Sequence, residues 1–231
     1  MKTKVFLLTV TLLVSFFYAA SLKAFDSEER VLIILDLSKS MNESLQTNET
    51  KIEVAKKAVT DVISSLPDDT SIGLRVYGHK SGFLGMNQCS KTELIAPIKP
   101  YNKETILDKV KDLEPNGVTP IAYSLKKAIG DFKGFEGSKR IVLISDGLET
   151  CNGDPCSFAK RLRSEGLNIK IDVISFGKNI KNFSIDSQLQ CIALATQGQF
   201  SRAETHIDLV KAINNSVRVD KQIHWTIKPN Y

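Results

Sequence analysis

An apolar run, VLII at 31–34, leads without a linker into the segment LDLSKSM, where side chains that carry oxygen stand at alternate positions. Hydroxyls beside a carboxylate and a lysine could form a nucleophilic site, and the same oxygens could hold a metal ion. Two similar side chains stand much later in the chain, a threonine in GVTP and an aspartate in SDG. The candidate site residues are therefore Asp36, Ser38, Ser40, Thr119 and Asp146.

Strand-like and helix-like segments alternate from residue 31 onward. Continuous or alternating apolar residues predict strands, and apolar stripes at helical spacing predict helices. The predicted strands are 31–37, 71–77, 92–98, 140–145, 170–176 and 199–203. The predicted helices are 51–66, 104–113, 120–132, 154–164, 187–195 and 208–217. The pattern predicts an α/β fold with a doubly wound, mostly parallel central sheet and helices on both faces. No helix separates 92–98 from the strand before it, so we expect 92–98 to be an antiparallel edge strand.

The predicted fold brings the candidate residues to one edge of the sheet. In doubly wound sheets, ligands bind beyond the carboxyl ends of the strands, at the point where the strand order reverses. Asp36 comes at the end of the first strand, and Asp146 follows the strand at 140–145. Thr119 lies in a loop that opens a helix and can reach the same edge.

The N-terminal segment has the layout of a secretory signal peptide. Lysines at 2 and 4 precede an uncharged apolar run at 5–20, and small residues follow it. We therefore expect a signal peptide at 1–24, a domain at 25–220 and a C-terminal tail at 221–231, with 222–227 a weak candidate for an edge strand. The alternative is an uncleaved membrane anchor, for which a run of 16 residues is short. The predicted location is periplasmic or secreted, with membrane contact only if the segment is retained.

The charge of the chain gives no sign of a nucleic-acid partner. The formal net charge is +5, but removing residues 1–24 takes away three lysines and leaves +2. No run of basic residues interleaved with aromatic residues occurs in the sequence.

Four cysteines, an even number in a chain predicted to be exported, favour disulfides over zinc ligands. They are Cys89, Cys151, Cys156 and Cys191. Right-handed crossovers place the helices of Cys156 and Cys191 side by side, which favours a Cys156–Cys191 bridge and leaves Cys89 to pair with Cys151. The competing pattern joins Cys151 to Cys156 and Cys89 to Cys191, and both patterns stay open at this point.

The chain resembles the von Willebrand factor type A domain over about residues 30–218. The metal-ion-dependent adhesion site of that family is Asp-x-Ser-x-Ser, then a distant threonine, then a distant aspartate. Here the first part is DLSKS, the threonine is in GVTP and the aspartate is in SDG. Lys39 stands where glycine is common, and Val118 replaces a second glycine. The stretch SDGLETCNGDPC is similar to a bacterial subgroup of exported members.

The resemblance implies a protein-binding module rather than an enzyme. In the family, the serines and the threonine contact the ion directly, and the aspartates act largely through bound water. An all-oxygen set of this kind suits Mg²⁺ best, with Mn²⁺ or Ca²⁺ as alternatives. Its neutral hydroxyls leave the ion under-neutralised, so the expected partner is a protein that presents an Asp or Glu carboxylate to complete the shell.

Three other interpretations compete with this one. Asp36 and the two serines could simply cap a turn. Ser38 or Ser40 could serve a hydrolase, but the sequence offers only His79 as a base near the same edge. The protein could also be a structural component of an envelope or pilus assembly, in which the metal only stabilises the fold.

Overall fold

The computed structural model describes residues 29–80, 87–177 and 183–218. Its centre is a six-stranded sheet in the order β3-β2-β1-β4-β5-β6. The strands are β1 (Arg30–Asp36), β2 (Ile72–Tyr77), β3 (Thr92–Lys99), β4 (Lys139–Ser145), β5 (Ile169–Phe176) and β6 (Phe200–Ala203). Only β3 runs antiparallel to its neighbour within these described residues, and the other pairs are parallel. The predicted fold class is confirmed, including the antiparallel edge strand.

Six α-helices of the described residues cover the two faces of the sheet. They are α1 (Lys51–Ser65), α2 (Lys103–Lys111), α3 (Ile121–Asp131), α4 (Pro155–Ser164), α5 (Phe183–Ala195) and α6 (His206–Arg218). Helices α1, α2 and α6 pack on one face, and α3, α4 and α5 pack on the other. Along β1, Val31, Ile33 and Leu35 belong to the first core and the residues between them to the second. This alternation explains why the strand is apolar throughout.

Two helices begin two or more residues earlier than the sequence pattern predicts, because side chains near their starts have partners in the fold. In α5, Ile185 is buried in the core, and the buried Asp186 accepts hydrogen bonds from β5 and β6. Helix α6 starts at His206 because Thr205 and Asp208 cap it reciprocally. The Thr205 hydroxyl accepts from the Asp208 amide, and the Asp208 carboxylate accepts from the Thr205 amide.

The strand order places a crevice between β1 and β4. The chain passes from β1 outward to β2 and β3, and then returns to the other side of β1 as β4. The loops that leave β1 and β4 therefore diverge, and this is the place where doubly wound sheets bind ligands. Leu35 is paired with Ile144, so Asp36 and Ser145 end the two strands at the same level.

Both termini lie largely outside the described residues. The predicted signal peptide at 1–24 and the strand considered at 222–227 are therefore not described. Among the described helices, none is long and apolar enough to cross a membrane.

Candidate metal centre

The Asp36 carboxylate lies fully buried at the end of β1, and two hydrogen-bond donors organise it. Its Oδ1 accepts from the Ser38 amide at 2.7 Å, and its Oδ2 accepts from the Ser145 hydroxyl, also at 2.7 Å. Ser145 in turn accepts from the Tyr77 hydroxyl at 3.1 Å. Strands β1, β2 and β4 thus each contribute one side chain to a buried polar network at the edge of the sheet.

Burial has a large effect on the pKa values of Asp36 and Tyr77. The pKa of Asp36 is raised from 3.8 to about 6, first by burial and then by the nearby charge of Asp146, against the lowering effect of the hydrogen bonds from Ser38 and Ser145. The pKa of Tyr77 is raised well above its ordinary value by burial and by the charge of Asp36, so Tyr77 stays a neutral donor.

The two serines and Asp146 form a continuous chain of oxygen atoms. The Ser38 and Ser40 hydroxyls are 3.0 Å apart, and Ser40 donates to Asp146 Oδ1 at 2.7 Å. A hydroxyl has a single proton, so Ser38 must be the donor to Ser40. The serines lie at the start of a short 3₁₀ turn, Lys39–Asn42, that the buried Met41 anchors in the core.

Backbone contacts tie the segment that contains Thr119 to the loops that follow β1 and β4. Gly117, two residues earlier, pairs with Ser38 as an isolated parallel bridge, and its carbonyl accepts from the Lys39 amide at 3.0 Å. The Thr119 amide donates to the Thr150 hydroxyl, and the Thr119 carbonyl accepts from the Thr150 amide. The threonine therefore lies between the loops that follow β1 and β4, and its side chain is buried.

Gly78 makes room for this arrangement, although it is not among the site residues predicted from the sequence. Its φ is +75°, and a Cβ at this position would lie 2.6 Å from the Ser38 backbone nitrogen. Its carbonyl accepts hydrogen bonds from Asn116 and Gly117, and the Asn116 amide is shared with the Leu37 carbonyl. These bonds join three loops, those that follow β1 and β2 and the one that precedes α3. A glycine directly after a predicted strand was the available signal.

Lys51 was also missed. It is the first residue of α1 and only 3% exposed, and its ammonium donates to Asp146 Oδ2 and to Glu43 Oε2, both at 2.7 Å. Burial lowers the pKa of Lys51, but the two carboxylates outweigh that effect and the net direction is upward. Lys51 stands four residues before Ala55 on the apolar stripe of the helix, which is the sequence signal that a charged residue would be buried there.

Glu149 fixes the loop that follows Asp146. Its Oε2 accepts from the Ala122 amide at 2.7 Å, and its Oε1 accepts from the Cys151 amide at 2.8 Å. Pro120 at the N-cap of helix α3 provides no side-chain hydrogen bond to the helix. The Glu149 carboxylate, distant in sequence, instead accepts from a backbone amide in the first turn of that helix.

Two disulfides stand in the structure. Cys89 is bonded to Cys151, and Cys156 is bonded to Cys191. This is the first of the two patterns considered from the sequence. The Cys89–Cys151 bridge ties the segment after β2 to the loop after Asp146, next to the candidate site. The Cys156–Cys191 bridge joins α4 to α5.

The residues fit a small, hard divalent cation. The donor set consists of hydroxyl and carboxylate oxygens from three loops, which is the chemistry that Mg²⁺, Mn²⁺ and Ca²⁺ prefer. Over the part of the chain that the structure describes, no three His, Cys, Asp or Glu residues cluster as a metal site. The candidate centre does not depend on such a cluster, because three of its five side chains are neutral hydroxyls. Within the described part of the chain, Lys51 is the basic side chain that forms an ion pair with the Asp146 carboxylate.

Comparison with known proteins gives the family. A family model of the von Willebrand factor type A domain matches residues 31–149, which is just over half of the chain, and the chain belongs to that family. YwmD of Bacillus subtilis is 32% identical over 188 residues, covering 78% of this chain and 80% of YwmD.

Two solved structures share the fold at low identity. The vWF domain of the type V pili tip protein Mfa5 from Porphyromonas gingivalis has a TM-score of 0.65 at 14% identity, with 89% of this chain and 98% of that domain covered. Proximal thread matrix protein 1 from the mussel byssus, solved with a zinc-occupied MIDAS motif, has a TM-score of 0.61 at 21% identity. That match covers 84% of this chain and 46% of the mussel protein.

Proposed function

We propose that this protein is an exported protein-binding module that holds a divalent cation, Mg²⁺ by preference, at a metal-ion-dependent adhesion site. The observation that carries the proposal is the chain of oxygen atoms from Ser38 through Ser40 to Asp146 at the point where the strand order reverses. The zinc-occupied MIDAS motif of the mussel relative supports it.

Each residue would have a distinct role in this site. Ser38, Ser40 and Thr119 would provide direct hydroxyl ligands, while Asp36 and Asp146 would act through bound water. When bound, a divalent cation supplies a positive charge that accepts a further oxygen ligand. Because the three direct ligands would be neutral hydroxyls, the inner coordination shell leaves this charge unbalanced, so the site favours an Asp or Glu carboxylate from a partner protein.

Export is supported by three features. The first 24 residues carry the pattern of a signal peptide. Two disulfides are typical of proteins outside the cytoplasm. The pilus-tip domain of Mfa5 has the same fold. We infer a periplasmic or secreted location for the domain at 25–220.

The pilus-tip neighbour also supports a second candidate, in which the protein is a structural part of an envelope or pilus assembly and the ion only stabilises the fold. The two candidates differ in what chelation does. A binding module releases its partner when the ion is removed, whereas an assembly component keeps its contacts as long as it stays folded.

The test of the proposed site is calorimetric titration with Mg²⁺, Mn²⁺ and Ca²⁺ into the millimolar range. We expect saturable binding in the natural protein and its loss in Ser40→Ala and Thr119→Ala. Ser164→Ala, at the exposed end of α4, is the matched control and should bind as the natural protein does. Equal binding by all four proteins would place the ion elsewhere, and no binding by any of them would refute the proposed function.

A further inference from the structure

Lys51 is a buried positive charge directly on the candidate metal centre, and we propose that it sets a low intrinsic affinity of this centre for divalent cations. This inference rests on the proposed function. Its consequence is that the centre holds its cation firmly only when an anionic group arrives with it, which is the condition that a partner carboxylate satisfies.

The two carboxylates that contact Lys51 differ in their exposure to solvent. The Asp146 side chain is fully buried, whereas the Glu43 side chain is 58% exposed. Solvent screens the exposed carboxylate, so its attraction for the ammonium is weak compared with that of Asp146. The positive charge of Lys51 therefore acts mainly on Asp146, whose other oxygen accepts from Ser40.

Packing holds the ammonium in this position. A Cβ on Gly177, just after β5, would lie 2.9 Å from the Lys51 Cε, so the lysine stem occupies the space that this glycine leaves. The Lys51 amide donates to the Glu43 carbonyl at 3.0 Å, which fixes the start of the helix. Rotation of the side chain away from Asp146 would leave that buried carboxylate without its charged partner.

Local helix preferences do not account for a lysine here. The first turn of a helix has a partial positive charge, so a cation at this end is unfavourable unless other groups compensate it. In this chain the compensation comes from Asp146, 95 residues away, together with Glu43. The burial of Lys51 is thus explained by its contacts with Asp146 and Glu43 at the candidate metal centre, and not by its position in α1.

The sum of the charges at the centre predicts how Lys51 affects cation binding. Asp36 and Asp146 together can carry two negative charges when both are ionised, and Lys51 offsets one of them. A divalent cation bound there leaves the centre with a net positive charge. This charge weakens binding of the cation alone and favours binding of an added carboxylate. Without Lys51 the same cation would neutralise the centre.

The test is calorimetric titration of the full-length natural protein with Mn²⁺ and Mg²⁺, beside Lys51→Met and Lys51→Gln. We expect both variants to bind the cation roughly tenfold or more tightly, because a like charge at close range has been removed. Lys57→Met, which removes an exposed charge from the same helix, should leave the affinity unchanged within about twofold. Lys51→Gln keeps a hydrogen-bond donor for Asp146 and preserves the test if Lys51→Met does not fold.

Thermal unfolding gives a second readout. Without metal, both Lys51 variants should melt below the natural protein, and saturating Mn²⁺ should raise their melting temperatures by more than it raises that of the natural protein. Saturable binding in the natural protein with equal or weaker binding in both Lys51 variants would overturn the role of Lys51 and leave the proposed function standing. Absence of saturable binding in every protein would remove the proposed function and this inference together.

Discussion

Replacement of Gly78 by alanine should damage the fold and the candidate site together. Its φ of +75° is unfavourable for a residue with a Cβ, at about 1–2 kcal/mol. The added Cβ would also lie 2.6 Å from the Ser38 nitrogen and 2.7 Å from the Leu37 carbonyl carbon. These are backbone atoms that cannot rotate away, so the collision adds about 1–3 kcal/mol, as in other overpacked sites. The expected loss in free energy of unfolding is about 2–5 kcal/mol.

Two other glycines separate the causes of that loss. Gly134 has a φ of +81° but open space around it, so Gly134→Ala should cost only the backbone strain of about 1–2 kcal/mol. Gly130 lies in α3, also with open space, so Gly130→Ala should stabilise the protein by about 0.5–1 kcal/mol.

Urea unfolding of the natural protein and the three variants measures these differences, and metal titration of the same samples measures the effect on the site. We expect Gly78→Ala to weaken cation binding, because the collision displaces the Ser38 backbone, while the other two variants bind normally. If Gly78→Ala and Gly134→Ala lose the same stability and bind the cation equally, the three loops are not packed as tightly as the distances indicate.

Two further predictions concern carboxylates that accept hydrogen bonds within the fold. Folding raises the pKa of Asp36 from 3.8 to about 6, so between about pH 4 and pH 6 the folded protein keeps a proton that the unfolded chain has released. The contribution of Asp36 to the free energy of unfolding therefore falls as pH rises through this window. Asp36→Asn should flatten the dependence of the free energy of unfolding on pH, measured by urea unfolding without metal. An unchanged slope would contradict the raised pKa of Asp36. Glu149→Gln replaces one of two oxygens that accept from backbone amides, and should cost about 1–2 kcal/mol in the same assay. Glu165→Gln, at an exposed position, is its control, and equal effects of the two would argue against the distant cap.

The layers of the fold were predictable because they depend on periodicity. The apolar run at 31–37 and the amphipathic stripe at 51–66 each identify their element without knowledge of any other. The antiparallel β3 followed from the absence of a helix between two strands. The start of α6 was placed two residues late because the cap is a reciprocal contact of Thr205 with Asp208, which apolar spacing does not report.

The candidate site was predictable only in part. Asp36, Ser38, Ser40 and Asp146 could be placed together because the carboxyl ends of parallel strands share one edge. The roles of Ser145 and Lys51 depend on contacts between segments that are distant in sequence. Ser145 looked like the end of a buried strand, yet it donates to Asp36, 109 residues before it in the chain. The contact of Lys51 with Asp146 likewise required the orientation of a side chain at the start of a helix.

The charge of Lys51 also bears on which chemistry the serines can perform. A lysine or a histidine can activate Ser38 or Ser40 for hydrolysis only if it is unprotonated and within reach of the hydroxyl. Lys51 is held in its charged form by Asp146 and Glu43, and it donates its protons to them. Among the described residues, neither histidine contacts these serines, since His79 pairs with Glu93 and His206 pairs with Asp61. The Ser40 proton points to Asp146, and the Ser40 oxygen, which accepts one hydrogen bond from Ser38, keeps a second lone pair that can act as a ligand.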